Sequence, residues 1–134
     1  VDGSASNDSG NLLDEARLAM LFQRINGDPD PARLSARDAL ELATVGGASV
    51  LGRDDIGALA PGMAADFVAY RIDTPAFAGA QSDLVAALVF CNAPQVDLSV
   101  IHGQVVVRDG QLLTVDLPLV VEKHNGYARE LIDG

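Results

Sequence analysis

The first residues of the chain carry its most suggestive chemistry. "VDGSASNDSG" sets Asp2 beside Gly3, with Ser4, Ser6, Asn7 and Asp8 close behind. A carboxylate so placed can move a proton or bind a divalent cation. It can equally bond to nearby backbone amides and close a turn. The hydroxyls and the amide behind it could orient that carboxylate or meet the polar edge of a small ligand. The stretch also has ordinary turn composition, so for Asp2 alone the ligand and turn readings both stand.

The other chemically capable residues are scattered. His102 and His124 lie far apart in sequence, and structural or solvated roles are expected for both. Cys91 is the single cysteine; it is expected to be a buried thiol, and no internal disulfide can form. Asp54-Asp55 reads as a solvated turn, and Asp66 as a residue closing the Pro61-Gly62 turn through local backbone bonds. "GGASVLG" lacks the spacing of a phosphate loop, and no lysine follows it.

The elements that must position these residues can be read from periodicity. Residues 11–25 predict a helix, because Leu12, Ala16, Ala19 and Met20 recur at three- and four-residue steps behind Asn11 as N-cap. "DPDPAR" reads as a stiff linker. Ser35 and Asp38 predict a capping box and a second helix over about 36–45, interrupted by Gly46-Gly47 and followed by one short turn. A strand is expected at about 66–72, and residues 83–90 fit either helix or strand. Val- and Ile-rich runs around His102-Gly103 and Asp109-Gly110 predict strands at about 98–102, 104–108 and 111–113. A final helix, about 117–131, starts near Pro118. The helices look apolar enough to pack on something larger than each other, and so short a sheet is thin for independent stability.

The bulk numbers exclude several classes. The chain has 134 residues, 49% of them hydrophobic, with mean hydropathy +0.20, enough for a core. Net charge is −10 with nine scattered Lys and Arg, which argues against a nucleic-acid polymer as partner. An uncharged nucleobase stays possible. No apolar run nears the roughly 20 residues that span a bilayer, so no membrane partner is expected. A lone cysteine and no charged leader fit a cytoplasmic setting.

Three stretches, in order, carry a resemblance: "VDGSASND" before an amphipathic helix, "ALELATVGGASVLGRDDIGALAPGMAADFVAY", and "VIHGQVVVRDGQL". Together they resemble the C-terminal portion of the amidohydrolase superfamily, closest to its guanine and hydroxyatrazine deaminase branch and within it most like the 8-oxoguanine deaminases. The resemblance implies an α/β fold. The chain would be the C-terminal segment of a metal-dependent (β/α)8 barrel plus part of a small β-sandwich subdomain. Residues 1–52 would supply the last strand end and helices of the barrel, 53–115 the sandwich share and its connection, and 116–134 a C-terminal helix.

The resemblance further implies that Asp2 ends the eighth strand, where barrel enzymes place their chemistry. It would ligate one divalent metal, zinc in the first instance and iron as the alternative. A metal of that kind brings bound water towards neutral pKa. The Asp2 carboxylate would take the water's proton and pass it to departing ammonia. Ser4, Ser6 and Asn7 would be substrate contacts. The substrate would be a purine- or pyrimidine-like base, 8-oxoguanine as the first guess, with a triazine amino- or chlorohydrolase as the alternative. The family's remaining ligands, an H-x-H pair and two further histidines, are not among these residues, so the chain alone is expected to be inactive. The intact protein is expected to be a homo-oligomer, and the remainder of its own barrel is the chain's first partner. A reading of another class, a small acidic protein-binding module without catalysis, rests on the lack of a local catalytic constellation.

Overall fold

A computed structural model describes residues 1, 3, 6, 9–25, 34–91 and 95–134. It divides into two compact units. The first holds Val1–Ala64 with Arg71–Pro94, and the second holds Ala65–Tyr70 with Gln95–Gly134.

The first unit is helical. Helix α1 spans Leu12–Phe22. Asn11 caps it: its side-chain oxygen accepts the Leu13 N–H at 3.1 Å, and its amide donates to the Asp14 carboxylate at 2.9 Å. Ala16 and Met20, one turn apart, are buried. Helix α2, Ala36–Glu41, opens on the expected capping box. The Ser35 hydroxyl accepts the Asp38 N–H at 3.2 Å, and the Asp38 carboxylate accepts the Ser35 N–H at 2.7 Å. The Asn26-Gly27 stop and the "DPDPAR" linker lie outside the described residues.

One expectation needs correction here. The Gly46-Gly47 pair does not break the helix. The chain runs on through a π turn, Leu42–Gly46, into α3, Gly47–Val50, with both glycines in right-handed helical conformation. The Thr44 hydroxyl donates to the Leu40 carbonyl at 2.7 Å. That bond competes for a carbonyl that a regular helix would give to a backbone amide, which suits a widened turn. Gly57 rests against this run with φ near 90°: a Cβ there would lie 3.0 Å from both the Ala48 Cβ and the Thr44 carbonyl.

Residues 83–90 resolve as helix. Helix α4 spans Leu84–Phe90, with the Asp83 carboxylate accepting the Ala86 N–H at 3.1 Å. Its Val89 joins Ala16, Met20, Ala36 and Ala39 in one core. Arg37 on α2 forks onto the same Asp83 carboxylate at 2.8 and 3.0 Å, and the Arg24 guanidinium sits 5.2 Å over the Phe90 ring.

The second unit is an antiparallel meander. Strands β1 (Phe67–Ala69), β2 (Leu98–Ile101), β3 (Gln104–Arg108) and β4 (Gln111–Leu112) pair in that order. Phe67 faces Val100, Leu98 faces Arg108, and Val107 faces Leu112, with a bulge between Ser99 and Val100. Strand β1 is shorter than the 66–72 expected. Both tight turns use two consecutive left-handed residues, His102-Gly103 and Asp109-Gly110. That conformation keeps the right-handed strand twist.

Asp66 also differs from expectation. Its carboxylate accepts the His102 N–H, across 36 positions of sequence, and the Gly103 N–H donates to the Ala65 carbonyl at 3.1 Å. The residue therefore straps the β2–β3 turn. The Pro61-Gly62 turn closes by other bonds, Met63 N–H to the Ala60 carbonyl and Ala64 N–H to the Asp55 carbonyl. The β3–β4 turn has its own strap, with the Gly110 N–H on the Asp97 carbonyl and the Gln95 amide on the Gly110 carbonyl. Helix α5, Leu117–Asp133, starts at the Asp116 cap with Pro118 in its first turn, and none of its residues is buried.

Candidate functional site

The N-terminal segment reaches α1 through local bonds. The Ser6 N–H donates to the Gly3 carbonyl at 2.8 Å, closing a turn, and the Asn11 N–H reaches the Ser9 hydroxyl at 3.4 Å. Ser6 is exposed at this turn. Asp2, Ser4 and Asn7, the other three candidates, lie outside the described residues.

The remaining candidates do not converge. His102 is exposed at the β2–β3 turn and His124 is exposed on α5. Cys91 ends α4 as a free thiol and is half-buried, not fully buried as expected, because it stands at the C-terminal cap and not on the core face. Asp55 pairs with Arg53 at 2.6 Å in the turn that sequence suggested. Among the described residues, no three His, Cys, Asp or Glu side chains could hold a metal ion together. The described donor set by itself therefore does not fit a catalytic metal, which takes three protein ligands.

Three features were not legible beforehand. A shallow groove of about 190 Å³ opens between α1 and the α2–π run, lined mainly by Ala16, Ala19, Ala39 and Ala43 with Glu15 among them. Small residues at helical spacing signal such a groove only once the two helices are known to face each other. The Arg17 Nε on α1 is buried and has no hydrogen-bond partner among the described residues. Buried donors are almost always satisfied, so a carbonyl or carboxylate brought by another segment would suit it. Asp83 is the most perturbed acid described: the Arg37 fork first, then the Ala86 N–H, lower its pKa to about 2. Its cap role and its pairing with Arg37, 46 positions away, were not readable from a stretch that fitted either helix or strand. No helix among the described residues is long and apolar enough to cross a membrane.

Comparison with known proteins gives a consistent result. The amidohydrolase family profile matches residues 1–112. The whole chain is 40% identical to 29% of the length of the 8-oxoguanine deaminase of Pseudomonas aeruginosa. It is 38% identical, over 99% of its length, to 31% of a 5-methylthioadenosine/S-adenosylhomocysteine deaminase of Desulforudis audaxviator. Among solved structures, the atrazine chlorohydrolase of Arthrobacter aurescens, complexed with zinc, superposes with TM-score 0.85 at 39% identity, covering 92% of this chain and 28% of that one. The chain thus spans less than a third of the length of these relatives.

Proposed function

The chain belongs to the amidohydrolase family, and from that premise we propose that it is part of a metal-dependent hydrolytic deaminase that releases ammonia from a purine- or pyrimidine-like base. The observation that carries this reading is the unbroken match of the entire chain to a deaminase at 40% identity. 8-Oxoguanine is the first substrate to test.

Residues 1–52 are proposed as the last strand end and outer helices of a (β/α)8 barrel, 53–115 as a share of a β-sandwich, and 116–134 as its C-terminal helix. Exposed apolar side chains support this: Val50 is 88% exposed, Leu59 71% and Leu51 69%, and the buried Arg17 Nε has no hydrogen-bond partner among the described residues. Such surface and such a donor suit burial against further chain. The intact protein is proposed to be a cytoplasmic homo-oligomer.

Asp2 is proposed as one ligand of a divalent metal, zinc first and iron second, with the other ligands from beyond these residues. When bound, that metal would supply water of lowered pKa. The Asp2 carboxylate would take a proton from the attacking water and return it to the leaving ammonia. Ser4, Ser6 and Asn7 are proposed as contacts to the base. In the intact protein, Asp2→Asn should lower both metal content and ammonia release. Unchanged metal and turnover would remove Asp2 from the site.

A second reading follows from the triazine relative: displacement of a chloride or amine from a triazine ring by the same attack. Assaying ammonia from 8-oxoguanine beside chloride from a chlorotriazine separates the two.

A further inference from the structure

We draw no further inference here: the strongest candidate, the buried Arg17 Nε on α1 with no hydrogen-bond partner among the described residues, calls for an acceptor, and nothing in the structure shows which segment supplies it.

Discussion

Gly57→Ala should be among the most damaging single-methyl changes in the helical unit. Two effects combine there. The residue sits at φ +90°, where an L side chain crowds the backbone. A left-handed conformation costs a non-glycine residue about 1–2 kcal/mol. The added Cβ would also lie 3.0 Å from the Ala48 Cβ, 3.0 Å from the Thr44 carbonyl oxygen and 3.1 Å from the Val45 Cα. All three are backbone atoms or atoms fixed directly to it, so no flexible side chain can swing away. Overpacking of that kind adds about 1–3 kcal/mol. The sum is roughly 2–5 kcal/mol, a large part of a domain's stability. Gly62→Ala is the control. Its φ is +91°, but a Cβ there would have nothing within 4 Å. It should show the conformational part alone. Urea unfolding of both variants in the intact protein, monitored by circular dichroism, reads the difference. Gly57→Ala should be less stable than Gly62→Ala by about 1–3 kcal/mol. Equal midpoints, or a more damaging Gly62→Ala, would refute the close approach of residue 57 to the π turn.

Further outcomes follow from the caps and straps. Asp66→Ala should cost about 1 kcal/mol and speed amide exchange at His102, while Asp66→Asn, which keeps an acceptor, should recover most of it; exchange at His102 unaffected by Asp66→Ala would remove the strap. Ser35→Ala should destabilise by about 1 kcal/mol in urea unfolding, since the cap loses the bond to the Asp38 N–H. Asp83 is held at about 2, below its ordinary range, by Arg37 first and the Ala86 N–H next. Because the folded value is the lower one, its contribution to stability is full above the ordinary carboxylate range and fades as pH falls towards 2. Arg37→Met should raise the Asp83 value, read by carboxyl NMR titration, though not fully, because the Ala86 bond remains. Added salt should raise it too, since the pair is exposed.

Local chemistry in the sequence determined much of this protein. Asn11 and the Ser35–Asp38 box start α1 and α2 because their bonds span only two or three residues. The strands at 98–101 and 104–108 follow from β-branched runs beside His102-Gly103, and the order of motifs along the chain identifies the family. Tertiary structure decided what depends on distant partners. The helix runs through Gly46-Gly47 because Thr44 back-bonds to Leu40 and Gly57, ten residues on, leaves room against it. Asp66 turned from its neighbouring turn to His102, and Asp83 acquired Arg37, once folding brought positions 36 and 46 residues apart into contact. The candidate site shows the same divide. Asp2 is named by the pattern around it, yet a metal centre needs three ligands converging in space, and among the described residues no three candidate ligands converge.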